Sequence, residues 1–392
     1  MKKLIGLLLV LVMVTGVFTA CGNAEKDDNG GSGTGSEQNG NPLAEEAFAG
    51  IEKLDKETKL NIGILAGSTH GFTNYLIGKL GGYEKVGLDE NIIIFGNGPI
   101  MVESVSSNAW DVGIYGLGGT LSGTLGQDII NLGACSKDYH GLMVFADPES
   151  DVVKAGKNID ESPLLYGTAD TWKGKEIFIP VGTTLHYAFS KGLEKFGLTD
   201  NDVKLTHMDV QNVNTALRAG KCELGGVWGN FCYGDLNDKF IPVVQAEDVG
   251  VRLVTVFAAN PRSYEDAEKK EATKKWMEIY FAAVEWLYAN DENLNQGIEW
   301  FLEWNEENGV KTNAEEIKAH LTYNGCYTLE ENYEMVTTKS ADGKMNLIEE
   351  YNYLPLLFFI ENGNYKPEDA DKLIDGYFYD EVITELYDKK NK

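Results

Sequence analysis

The stretch Val181-Gly182-Thr183-Thr184-Leu185-His186-Tyr187 follows directly on the apolar run Lys175–Pro180. A strand should end at the proline, and a helix should begin within the next few residues. The first N–H groups of a helix have no partner inside it, and that end carries a partial positive charge. It therefore favours an anionic group, and two threonine hydroxyls beside it add donors. Gly182 lets a ligand approach the backbone closely. His186, in the same positive field, is disposed to stay neutral and to donate a hydrogen bond. Threonine is equally an ordinary N-cap, so capping and binding are both open readings of these residues.

The helix behind them is amphipathic. Leu185, Ala188, Phe189, Leu193 and Phe196 fall on one stripe, which leaves Thr183, Thr184, His186 and Tyr187 outside the core face. The surrounding pattern alternates short apolar runs with amphipathic segments. Runs at 59–67, 91–96, 111–116, 128–135 and 141–147 read as strands, with helices at 71–83 and 99–108. After a polar, Pro- and Gly-containing loop at 147–174 the series restarts: strand at 175–180, helix at 183–196, strand at 203–208, helix at 210–219, strand at 224–229. Such alternation predicts an α/β fold with mostly parallel sheets, in two lobes. Beyond the strand-like run 251–260, residues 264–309 and the tail from 347 read as helical, with Pro355 marking a break or kink.

Composition narrows the function. The chain has 392 residues, 43% hydrophobic and 11% aromatic, and a formal charge of −27. That charge, with no dense basic stripe, argues against nucleic acid as a partner. None of the common nucleophile-elbow, zinc-protease, P-loop or C-x-x-C motifs occurs. Cys135 with His140 is weak evidence for a nucleophile, and His207 and His320 are scattered, so neither catalysis, nor a metal, nor a cofactor is expected. Apart from Cys21, the four cysteines make no disulfide framework; Cys222 and Cys232 are the one pair close in sequence.

The N-terminus reads as an export signal over residues 1–20: Lys2 and Lys3, the apolar stretch Leu4–Phe18, then small residues before Cys21. Phe18-Thr19-Ala20-Cys21 resembles the bacterial lipobox, which implies lipidation of Cys21 and a location at the extracellular face of the cell membrane. Residues 21–57 open with a Gly-, Ser- and Asn-rich stretch and are expected to tether the folded part flexibly.

Residues 174–228 carry a broader resemblance. A strand leads into Gly182-Thr183-Thr184, then come a helix, Gly197-Leu198 before Asp202-Val203, and Ala216-Leu217 before Val227-Trp228. This order resembles the central segment of ABC-transporter substrate-binding proteins of the nitrate/sulfonate/taurine type. The stretch Asn108–Leu121 is similar to their first-lobe loop. The chain departs from the family pattern at Leu117–Thr120, at Gly229-Asn230-Phe231 after Trp228, and at Gly67–Tyr75.

The resemblance implies a two-lobed periplasmic-binding-protein-like fold of type II with a helical C-terminal part. Lobe one would hold 58–145 plus 251–392 and lobe two 146–250, with hinges near Met143–Asp147 and Val251–Ala258. It places Ser68, Thr69, Phe72, Tyr115, Gly116 and Gly119 on one wall of the interlobe cleft. Gly182, Thr183, Thr184, His186, Asp209, Asn212, Trp228 and Asn230 would line the other. The implied role is capture of a small organic solute, anionic and sulfonate-, taurine- or nitrate-like, for delivery to an ABC permease. A thiamine-pyrimidine-like or amine solute held by Asp209 and aromatics, and a sensory ligand-presenting lipoprotein, are the alternatives.

Overall fold

Two five-stranded sheets organise the chain in the computed structural model. It describes residues 41–392 except Ala66, Gly234, Asp342 and 374–376, and the side chains of Asn230 and Asp235. The expected signal peptide, Cys21 and the tether as far as residue 40 lie outside the described residues.

The strands are β1 (Thr58–Leu65), β2 (Leu88–Phe95), β3 (Val112–Tyr115), β4 (Ile130–Asp138) and β5 (Leu142–Ala146), then β6 (Glu176–Ile179), β7 (Lys204–His207), β8 (Leu224–Trp228), β9 (Ile241–Gln245) and β10 (Leu253–Ala259). The first sheet is ordered β2-β1-β3-β10-β4 and the second β7-β6-β8-β5-β9. In the first, β1 runs parallel to β2 and β3, while β10 is antiparallel to both β3 and β4. In the second, β6 runs parallel to β7 and β8, while β5 is antiparallel to β8 and β9. Each sheet thus has a single reversed strand, and it is the strand the chain enters on crossing from the other sheet.

The crossovers themselves are residues 139–141 and 246–252. Both hinge segments expected from the sequence fall largely within strands, because Leu142–Ala146 and Leu253–Ala259 are hydrogen-bonded on both sides. Leu142–Phe145, assigned to lobe one by sequence, therefore belongs to the second sheet. The two crossovers are tied side by side: Glu247 takes His140 Nδ1 at 2.8 Å and an Arg252 guanidinium nitrogen at 2.8 Å.

Other elements differ from expectation for physical reasons. Leu117–Gln127, a Gly-, Ser- and Thr-rich stretch of poor helix propensity, is helical. Its Leu117 and Leu121 are buried with the second core, so packing overrides propensity. The tether ends earlier than expected: Pro42–Ala47 is a helix, and Phe48 is fully buried in the first core. Pro355 lies inside an unbroken helix, Leu347–Glu361. Cys222 and Cys232 are buried free thiols; burial pushes Cys222 up to about 11.

The C-terminal part serves both sheets. Helix Ala267–Tyr288 covers the first, where Phe257 meets Trp276, Tyr280 and Phe281 edge-on at 5.0–5.6 Å. Leu347–Glu361 then reaches the second: Leu356, Phe358 and Phe359 join its core, and Phe358 and Phe359 lie 5.2 and 5.8 Å from Tyr187. Beyond 376 the chain is back on the first sheet. Asn131 there exchanges backbone hydrogen bonds with Tyr377 and Tyr379 at 2.8 Å. The tail is therefore not an extension of lobe one alone.

Candidate functional site

The C-terminal ends of β1, β3, β6 and β8 face a common crevice, the usual ligand position in open α/β sheets. A cavity lies there between the sheets, with room of about 60 Å³ for the centres of water-sized spheres. At roughly 10–15 Å³ per water on that scale, it holds a few waters or one small solute.

One hydroxyl joins the two walls. Thr184, at the start of helix Thr184–Glu194, donates from Oγ1 to Asp138 Oδ2 at 2.6 Å and accepts the Leu117 N–H at 3.1 Å. Asp138 ends β4 of the first sheet and Thr184 follows β6 of the second, so this bond crosses the cleft. Gly116 makes room for it: a Cβ there would stand 2.6 Å from Asp138 Oδ2 and 2.7 Å from Thr184 Oγ1. The walls also meet backbone to backbone. A Cβ on Gly118 would fall 1.9 Å from the Gly182 carbonyl oxygen, and one on Gly229 (φ +61°) 2.1 Å from that of Gly67. The cleft is closed. At its rim Asn97 Nδ2 donates to Asp209 Oδ1 at 2.9 Å.

Of the residues singled out by sequence, Ser68, Thr69, Gly116, Gly119, Thr183, Thr184 and Trp228 line this cavity. Thr183 also caps its helix: it accepts the His186 N–H at 3.4 Å and donates to the Pro180 carbonyl at 2.7 Å. The others sit elsewhere. Phe72 is stacked on Phe301 at 4.2 Å, and Tyr115 is buried edge-on to Trp110. His186 is turned into the protein: Nδ1 accepts the Gly182 N–H, which leaves the proton on Nε2 for Asp200 Oδ2 at 2.9 Å. Gly182 contributes the carbonyl contact with Gly118 and not cavity wall. Asp209 is a rim residue and Asn212 is exposed on helix Val210–Arg218; the Asn230 side chain lies outside the described residues.

Sequence reasoning missed seven polar wall residues, among them His70, Asp138, His320 and Asn324. Asp138 carried little signal, since the strand it closes also holds Asn131, Ser136 and Lys137. His320 and Asn324 come from the far C-terminal segment around helix Ala314–Tyr323, which no local pattern connects to the cleft. Burial pushes His70 and His320 down to about 3, so both are neutral imidazoles. Asp138 opens onto the cavity, and desolvation raises it to about 6 against the pull of the Thr184 hydroxyl. Asn324 fastens the wall: it accepts the Gly141 N–H at 2.8 Å and donates to Tyr233 Oη at 3.1 Å. Among the described residues no three His, Cys, Asp or Glu side chains cluster as metal ligands.

Comparison with known proteins places this architecture. An alkanesulfonate-binding protein from Xanthomonas axonopodis pv. citri, bound to MOPS, superposes with a TM-score of 0.61 at 15% identity, over 82% of this chain and 98% of that one. A periplasmic nitrate-binding protein from Synechocystis PCC 6803 gives 0.61 at 14% identity, over 86% and 90%. The fold is that of the periplasmic binding proteins. In sequence, the chain is 23% identical over 253 residues to a Brachyspira hyodysenteriae protein named as a candidate ABC transporter periplasmic binding protein, covering 63% of this chain and 70% of that protein. A Brucella abortus protein named as a candidate binding protein is 24% identical over 251 residues, covering 60% and 69%. No family model matches.

The Asp138 carboxyl gives this cleft a pH signature. Its proton is held more readily in the fold, at about 6, than in the unfolded chain, at about 3.8. Its contribution to stability therefore falls as pH rises from about 4 to about 6 and is constant above. Asp138→Asn keeps an acceptor for Thr184 and removes the buried charge. Thermal melts of the ligand-free chain should show the variant gaining on the parent between pH 4 and pH 6. A difference that does not change with pH would contradict the assignment.

Proposed function

We propose that the chain is the extracytoplasmic solute-binding component of an ABC importer, which closes on a small organic solute between its sheets and passes it to a membrane permease. The observation that carries this reading is the cavity at the strand ends, bounded by contacts between two bodies joined at paired crossovers and by the C-terminal segment. A ligand that touches both walls only in the closed form stabilises closure, which is how hinge binding works. The names borne by the Brachyspira and Brucella relatives support the same role.

The wall chemistry suits binding better than catalysis. Four cavity hydroxyls are committed to structural bonds: Ser68 to the Leu65 carbonyl, Thr69 to the Asn324 carbonyl, Thr183 to Pro180 and Thr184 to Asp138. The Ser136 and Thr255 hydroxyls bond to each other at 2.7 Å. Nucleophilic catalysis needs such a hydroxyl in contact with a free base. The anionic head expected at the Thr184 helix start meets a competitor there, because the Asp138 carboxylate already takes the Thr184 hydroxyl. A sulfonate-, taurine- or nitrate-like solute would have to seat beside that charge.

The test is thermal unfolding of the full chain in detergent against alkanesulfonates, nitrate, carboxylates, amines and thiamine-type pyrimidines. A ligand at about 100 times its Kd should add about 2.7 kcal/mol of stability. A folded, ligand-free chain indifferent to every class would contradict solute capture. The role also requires tethering at the outer membrane face through lipidated Cys21. Cys21→Ala should move the chain from the membrane fraction to the medium; retention in the membrane would contradict the lipid anchor.

A further inference from the structure

We infer that the solute held in this cavity is a small organic cation of ammonium or amidinium type, its N–H groups donated to the Asp138 carboxylate and to Nδ1 of His320. The inference rests on the solute-binding reading above and names the class of solute for the same site.

Thr69 has one hydroxyl proton, and it goes to the Asn324 carbonyl at 2.8 Å. Its 3.0 Å contact with His320 Nε2 must then run from the ring N–H to the hydroxyl oxygen. The neutral His320 ring is left with a bare Nδ1, a buried acceptor with no partner. His320 is 1% exposed and lines the cavity. The Thr184 hydroxyl is the donor to Asp138, and a carboxylate has room for about three more. The polar face offered to a solute thus holds two acceptors in need of donors, the Asp138 carboxylate and His320 Nδ1. Beside them lies the Ser136–Thr255 hydroxyl pair, whose 2.7 Å mutual bond leaves one O–H proton. A buried acceptor without a donor is costly.

Charge points the same way. Asp138 is a carboxylate at neutral pH, and His70 and His320 are uncharged there. The lysine in the wall, Lys137, holds its ammonium over the Tyr327 ring, 5.7 Å from the centroid. An anion would need donors and positive charge where this wall presents a carboxylate. A cation gains an ion pair, and Trp228 in the same wall adds aromatic surface of the kind cations favour. The small room limits the solute's head to a few heavy atoms.

Three molecules of nearly one shape separate the possibilities: acetamidinium, acetamide and acetate, with propylammonium and propanesulfonate as a second pair. Titration calorimetry on the full chain in detergent at pH 7.5 should show the cations binding roughly tenfold or more tighter than their neutral and anionic counterparts. Asp138→Asn, with its fold checked by circular dichroism, should weaken the cations by about the same factor. Tighter binding of acetamide, acetate or propanesulfonate, or cation binding unchanged in Asp138→Asn, overturns the cation and leaves solute capture standing. Silence from every probe overturns both. The selectivity of the parent chain decides the matter even where the variant does not fold.

Discussion

The Thr184 hydroxyl is the interaction on which the rest of the structure turns. It sits on one body, takes its proton acceptor and its N–H donor from the other, and does so at the floor of the cavity. A hydroxyl can donate once, so while Thr184 serves Asp138 it is not available to a ligand. Everything near it is arranged for close approach. Gly116 leaves space above the bond, and Gly118 and Gly229 let backbone meet backbone across the cleft. Closure and the character of the floor are therefore one feature: the groups that hold the walls together also make the floor acidic.

The C-terminal segment makes this more than a pair of hinged sheets. His320 and Asn324 complete the wall, and Asn324 reaches the first crossover at Gly141. Phe358 and Phe359 then pack on Tyr187, in the first turn after Thr184, before the chain returns to β4. Any opening has to move these contacts together with Thr184. The His140–Glu247–Arg252 cluster holds the crossovers side by side on the other flank. A ligand need supply only the difference in contacts between open and closed forms, and with walls already matched that difference is concentrated at the cavity floor.

Much of the fold was legible in local pattern. Short apolar runs bounded by Gly, Pro and Asp marked most of the strands, and the stripe Leu185–Phe196 marked the helix that Thr183 caps. The helix Leu117–Gln127 was not, because its glycines and hydroxyl residues have weak helix propensity and are held by burial of Leu117 and Leu121. The reversed strands β5 and β10 were also hidden: strand direction depends on partners far away in the chain. The candidate site divides along the same line. Thr183, Thr184 and Trp228 could be found next to recognisable strand ends. His320 could not, since 136 residues of chain separate it from Thr184. Nor could the inward turn of His186, which is fixed by Asp200 and by the Gly182 N–H.

The central claim is that the Thr184–Asp138 bond holds the two bodies closed over the cavity. The direct measurement is the distance between spin labels placed on exposed Glu103 and Gln211, one on each side of the cleft, by double electron–electron resonance in the parent and in Thr184→Val. Valine keeps the size of threonine and removes the hydroxyl. The account predicts a single short distance in the parent and a longer, broader distribution in the variant. Identical distributions in the two proteins would contradict it.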